Sequence, residues 1–269
     1  MKKLLLLAFL FISVSTYAQV CPVSDFTETP APQVNSPVWP KSGWETHQAF
    51  SVSIIAGKLQ IKKSNFISDP DTVSYNIPGG QLFAHDGGEW GGDLYFIPND
   101  TTPNLYVDGK KAALIKKFFT LNAFKKTLKK LYDTPHINVM GGNIRCIFSY
   151  KDSLFFMEGL AHMGINQGAI YKIQFQNNNF QIEKMLDFDD APRIISVYNK
   201  QLCVVTMKRF YIIKNWKKDL ILNNIWGYGF YPNSIAVLDS RNIYVGTIDG
   251  YAKIDGKTKR LTFYKYKDY

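Results

Sequence analysis

The chain has 269 residues, a length that suits a single all-β domain, and a formal net charge of +10 that favours anionic partners. Its three cysteines form no Cys-x-x-Cys pair, which excludes a zinc framework and a thioredoxin-like redox motif. No segment after the first residues reaches 18 uninterrupted apolar positions, so no transmembrane segment is expected beyond them.

The first residues read as an address. Lys2 and Lys3 precede an apolar stretch from Leu4 to Val14, and Thr16 and Ala18 take the small-residue positions of a cleavage site. Residues 1–18 are therefore expected to be a signal peptide cleaved after Ala18, with a periplasmic or secreted product. Export makes nucleic acid a poor partner. A lipid anchor at Cys21 is disfavoured because Val20 stands where a small residue is required. Residues 19–48 carry Pro22, Pro30, Pro32, Pro37 and Pro40, which forbids helix and predicts an extended lead-in. Trp39 and Trp44 in this stretch either pack across a face of the domain or stay apart from it.

From Ala49 a strand pattern begins and is expected to continue to residue 269 as one domain. Phe50, Val52 and Ile54 alternate, a turn follows at Ala56-Gly57-Lys58, and Leu59 and Ile61 alternate again. The next unit reads as a first strand at Leu82-Phe83-Ala84, a glycine-rich turn from Gly87 to Gly92, then strands at Leu94–Ile97 and Leu105–Val107. Residues 110–131 hold eight lysines and no acid. Phe124, Leu128 and Leu131 recur there at helical spacing, which predicts either a short helical excursion over 122–131 or a strand at Ala113–Phe119 belonging to a degenerate sixth unit. A membrane-surface role for this basic stretch is a weaker alternative to a solvated face.

Three later stretches superimpose. Anchored on Leu154, Leu202 and Ile243, they share an apolar run beginning eight positions earlier at Cys146, Ile194 and Ile235. Eleven positions after the anchor the second and third copies carry Ile213 and Ile254, whereas the first reaches Ile173 eight residues late, across an inserted loop, Gly159–Asn166. With Leu59 and Leu94 added, the anchors are spaced 35, 60, 48 and 41 apart. Strands repeating at about 40 to 45 residues are the signature of propeller blades. The last copy is cleanest, with strands at Ser234–Leu238, Ile243–Ile248, Tyr251–Ile254 and Arg260–Tyr266 separated by Asp-Ser-Arg-Asn, Asp-Gly and Asp-Gly-Lys turns. The expected fold is all-β, a β-propeller of five four-stranded blades, or six with one degenerate.

At Ile235–Ile254, Ile194–Ile213 and Cys146–Ile173 the chain resembles the β-propeller superfamily, and is similar to the YVTN-type and sensor-associated propellers of exported bacterial proteins. The resemblance implies the fold and a ligand at the central channel, and leaves the chemistry open. Such propellers include adhesion and scaffold modules, sugar- or peptide-binding proteins, lyases and hydrolases. A five-bladed glutaminyl-cyclase-like enzyme fits the length, though that family's acidic motif has no counterpart here.

In a four-stranded blade the loop leading into strand one and the loop joining strands two and three share one face. On that face the inserted loop would place His162 and Asn166, and the approach loops His136 (with Pro135), Asp189, Asp190, Arg193 and Tyr231. Pro192 and Pro232 read as turn devices fixing the chain's approach. These seven polar residues are the candidate ligand-binding set; no catalytic residue is assigned and no metal site is expected, since neither the His spacing nor the acids define one. The stretch His85–Asp93 reads as a wide turn on the opposite face, with a calcium site on its acids as the alternative. It satisfies neither a dinucleotide nor a P-loop pattern, so no cofactor is expected. The function expected is a monomeric, exported recognition module for an anionic polymer, a glycan or a protein partner. The alternative is a propeller enzyme with a central-channel site.

Overall fold

The computed structural model describes residues 20–30, 48–64, 71–88, 91–99, 136–162, 164–176, 179–225 and 231–267. The signal peptide, Trp39, Trp44, Leu105–Val107 and the lysine-rich 110–131 stretch lie outside these residues. Among the described residues every regular element is a strand apart from one 3-10 turn at Val23–Asp25. The strands form five antiparallel sheets.

Sheet I takes β1 (Val20–Cys21), β3 (Ala49–Ile55) and β4 (Lys58–Ser64), in the order β1-β4-β3, while β2 (Phe26–Thr29) crosses to the last sheet. Sheet II is β5 (Asp71–Ile77), β6 (Gly80–Asp86), β7 (Gly92–Pro98) and β8 (Ile137–Gly141). Sheet III is β9 (Ile144–Tyr150), β10 (Ser153–His162), β11 (Ile165–Gln176) and β12 (Asn179–Phe188). Sheet IV is β13 (Pro192–Tyr198), β14 (Gln201–Thr206), β15 (Arg209–Lys214) and β16 (Lys217–Asn223). Sheet V is β17 (Ser234–Asp239), β18 (Asn242–Thr247), β19 (Gly250–Asp255) and β20 (Arg260–Tyr266), with β2 as a fifth strand outside β20.

The repeat seen in the sequence is a cross-strand pair. Leu154 faces Ile173, Leu202 faces Ile213 and Ile243 faces Ile254, each joining strand two to strand three of its sheet. In sheets III and IV the hairpins between first and second strands close with two residues of positive φ, Lys151-Asp152 and Asn199-Lys200, and Asn215-Trp216 closes β15 to β16 in the same way. Such turns match the right-handed twist of the flanking strands, and asparagine tolerates the left-handed backbone at two of these positions.

Two expectations change. The sheets are not uniformly four-stranded, because the proline-bearing lead-in supplies one strand to sheet I and another to sheet V. In sheet II, Leu82 lies in the second strand rather than the first, and Leu94 in the third. The first strand is Asp71–Ile77, where Val73, Tyr75 and Ile77 alternate with polar residues.

The buried apolar residues form four clusters, each shared by two sheets. Phe155 and Met157 of β10 meet Leu202 and Val204 of β14 between sheets III and IV. The neighbouring side chains of β14, Cys203 and Val205, meet Ile243 and Val245 between sheets IV and V. A strand buried on both faces reads as a continuous apolar run instead of an alternation, which is why these second strands stood out in the sequence. The other clusters join sheet II to III and sheet V to I. None of the three cysteines forms a disulfide. Burial pushes the Cys146 thiol up to about 12 and the Cys203 thiol up to about 11, so both act as apolar packing.

Candidate functional site

The second strands turn into the third at what is here termed the upper end of the sheets. The chain also approaches each first strand from that end. Polar side chains tie neighbouring sheets together there.

At the junction of sheets II and III, Asp86 closes β6 and pairs with Arg145 of β9; their side chains are 0% and 11% exposed. Asp86 Oδ1 also accepts from the Gly88 amide at 2.9 Å, and the Asn143 side-chain amide donates to the Gly88 carbonyl at 2.7 Å. Arg145 Nε donates to the Gly159 carbonyl at 3.1 Å. This places the start of the His85–Asp93 turn at the upper end, not on the opposite face. The misplacement follows from the shifted strand assignment in sheet II, since the turn joins strands two and three. Arg145 and Asn143 carried no signal in the sequence, being single polar residues flanking an apolar strand.

At the junction of sheets III and IV stands the eight-residue insertion, and it is not a loop. β10 and β11 remain paired through it, from Gly159 opposite Gly168 to His162 opposite Ile165. The extension leans on sheet IV at Pro192, which is buried at the start of β13. A Cβ at Gly159 would run into the Pro192 carbonyl, and one at Gly168 into the Pro192 ring and the Glu158 carbonyl. Glycine is therefore required by close approach. Gly168→Ala is expected to lower stability by about 1–3 kcal/mol through overpacking, measured as a shift of the urea midpoint at unchanged m-value.

Asn166 fastens the extension from the other side. Its Nδ2 donates to Asp190 Oδ1 at 2.7 Å, and its Oδ1 accepts from the Ala191 amide at 2.7 Å. Asp190 is 1% exposed, and its second oxygen accepts from the Thr206 hydroxyl and from the Lys208 amide at 2.8 Å. Next to it, Asp189 is exposed and pairs with Arg209 at 2.7 Å. That guanidinium holds the Asp189 carboxyl below the usual carboxylate range. Further round, Arg193 lies over the Tyr231 ring at 5.6 Å from its centre, and burial pushes the Tyr231 hydroxyl up.

The seven predicted residues thus separate. Asn166 and Asp190 are bonded to each other, Arg193 and Tyr231 are stacked, Asp189 is ion-paired, and His162 stands at the hairpin tip beside the exposed Ile165. His136 departs from expectation: it precedes β8, the fourth strand of sheet II, and packs edge-on against Tyr95 with 8% of its surface exposed. It is not on an approach to a first strand, because β9 rather than β8 opens sheet III. Among the described residues the buried carboxylates Asp86 and Asp190 are held in inter-sheet ties, while Arg193, Tyr231 and His162 are half-buried and the Asp189 side chain of the Asp189–Arg209 pair is exposed. Among the described residues no three His, Cys, Asp or Glu side chains converge to hold a metal ion. An open depression of about 410 Å³ lies elsewhere, on sheet V, lined by Glu28, Lys253, Asp255, Thr258, Arg260 and Thr262.

Compared with the models of known protein families and with curated proteins, the chain matches none.

Proposed function

We propose that the five sheets are blades of a β-propeller and that the chain is an exported recognition module, binding its ligand at the upper end beside the 159–166 hairpin. The propeller reading is supported by the four inter-sheet cores: each sheet sandwiches its apolar side chains against the next one in the series II, III, IV, V, I. Export rests on the amino-terminal pattern of Lys2, Lys3, the apolar Leu4–Val14 stretch and the small residues Thr16 and Ala18. Cys21 lies 4% exposed beside Phe50, a poor position for a lipidated residue.

The observation that carries the function is the hairpin itself. It is an extension of two strands, seated on Pro192 by paired glycines and fastened by the Asn166–Asp190 bond, and it projects where the corresponding turns of sheets IV and V have two residues. A projecting element held this firmly keeps its binding geometry in the unliganded state, which reduces the ordering cost of recognition. Arg193 stacked on Tyr231 offers a cationic and aromatic surface suited to an anionic polymer, a glycan or a protein segment. The enzymatic alternative has less support, because Asp86 and Asp190 are buried in ties between neighbouring sheets.

Replacing Leu160–Gln167 by Asn-Gly joins Gly159 to Gly168 with a two-residue turn. On glycan and peptide arrays, the wild-type signals are expected to vanish in this variant while its far-UV circular dichroism stays unchanged. Retention of the same signals would remove the hairpin from the binding surface.

A further inference from the structure

The lower end of the sheets, where first strands turn into second and third into fourth, has a different chemistry. Lys58, Lys151, Lys200 and Arg241 occupy the first-to-second turns of sheets I, III, IV and V, and all four are exposed. The third-to-fourth turns add exposed Lys214 and Lys217 in sheet IV and Lys257 and Lys259 in sheet V. The opposing carboxylates are partly occupied. Asp239 Oδ1 accepts from the Arg241 and Asn242 amides at 2.7 and 3.0 Å, and Asp255 Oδ1 from the Lys257 and Thr258 amides at 2.9 and 3.1 Å. Asp152 and Asp219 remain exposed at this end.

Direct bonds put these turns side by side. Tyr150 donates to the Lys200 carbonyl at 2.7 Å and Lys151 Nζ to Asn215 Oδ1 at 3.0 Å, joining the turns of sheets III and IV. The two turns of sheet V meet through Gly256 N and the Ser240 carbonyl at 2.8 Å.

A second feature accompanies the charge. Three residues before the turn cation, at the last or next-to-last position of the first strand, stands an exposed aliphatic side chain: Ile55 before Lys58, Val197 before Lys200 and Leu238 before Arg241, at 49%, 46% and 36% exposure. A soluble polyanion needs only the cations. Exposed aliphatic groups among them match a surface that is anionic at its headgroups and apolar just beneath.

We propose that the lower end docks on an anionic lipid surface, leaving the upper end turned towards solution. The docking does not depend on what the 159–166 hairpin binds.

The test is co-sedimentation of the protein, purified after export, with vesicles of equal parts phosphatidylglycerol and phosphatidylcholine, or of phosphatidylcholine alone. Binding is expected to the first only, and to weaken as salt is raised from about 0.05 to 0.5 M. The variant Lys58→Glu, Lys151→Glu, Lys200→Glu, Arg241→Glu is expected to bind about 100-fold or more weakly. Ile55→Ser, Val197→Ser, Leu238→Ser is expected to bind about tenfold more weakly while keeping the salt dependence. Single Lys200→Glu, in an exposed turn that tolerates it, is expected to show a several-fold loss. Failure to bind phosphatidylglycerol vesicles, or undiminished binding by the four-charge variant, overturns the proposal. So does an unaffected serine variant combined with equally tight binding to soluble polyphosphate, which would identify a polymer as the partner.

Discussion

Arg145→Ala is expected to lower the unfolding free energy by about 3–5 kcal/mol. The Asp86 side chain is fully buried, and Arg145 is the cation set against it across the junction of sheets II and III. Removing the guanidinium leaves the carboxylate in a low-dielectric site beside the Gly88 amide at 2.9 Å, and strips the Gly159 carbonyl of its Nε bond. Coulomb attraction in the pair offsets a desolvation penalty already incurred on folding; without the partner the penalty stands alone. The penalty therefore belongs to the unpaired charge and not to the shape of the arginine. A double variant, Arg145→Met with Asp86→Leu, is expected to recover most of the loss, because neither charge remains to be desolvated. Urea denaturation of the wild type, Arg145→Met, Asp86→Leu and the double variant gives the coupling directly. A double variant as unstable as Arg145→Ala would mean that packing volume, not charge, governs this junction.

That pair also shows where sequence reading stops. The fold of sheets III to V was legible because each second strand is apolar on both faces and each copy repeats the same cross-strand pair, with Asp-Gly or Asn-bearing turns between. Sheet II escaped for a local reason. Its first strand alternates Val73, Tyr75 and Ile77 with polar residues, so it lacks a continuous apolar run, and the first such run in the unit, at Leu82–Ala84, belongs to the second strand. Shifting the count by one strand exchanges the two ends of a sheet, so the Asp86 turn lies at the opposite end from the one its sequence suggests. The inserted hairpin was legible as extra length but not as paired strands, because Gly159 and Gly168 resemble loop residues until Pro192 is seen against them. Within the candidate site, Asp190 was found but its role was not: a carboxylate in an approach loop looks available until Thr206, Lys208 and Asn166 are seen to satisfy it. These are contacts between segments 16 to 24 residues apart, beyond any local pattern.

Phe26→Ala is expected to cost about 3–5 kcal/mol of stability, as large buried aromatic truncations do. Phe26 is 7% exposed, and its ring lies 5.2 Å from Phe50, 5.1 Å from Tyr251 and 5.3 Å from Tyr266. Phe50 belongs to sheet I and the two tyrosines to sheet V, so one side chain from the amino-terminal segment fills the core between sheets contributed by opposite ends of the chain. The backbone repeats the arrangement. β1 pairs with β4 of sheet I, and β2, a few residues later, pairs with β20 of sheet V. The segment therefore staples the two sheets, and losing its ring leaves a cavity where they meet. Because the damage is local, the opening it promotes should be local as well. Cys21, 4% exposed in the same cluster, reports on that opening, and Cys146, on the junction of sheets III and IV, reports on the rest. Under native conditions Cys21 labelling by a thiol reagent is expected to accelerate on the order of a hundredfold in Phe26→Ala, with Cys146 accelerating much less. Equal acceleration of both thiols would mean that the sheets open only together, and that the staple stabilises the whole domain instead of one junction.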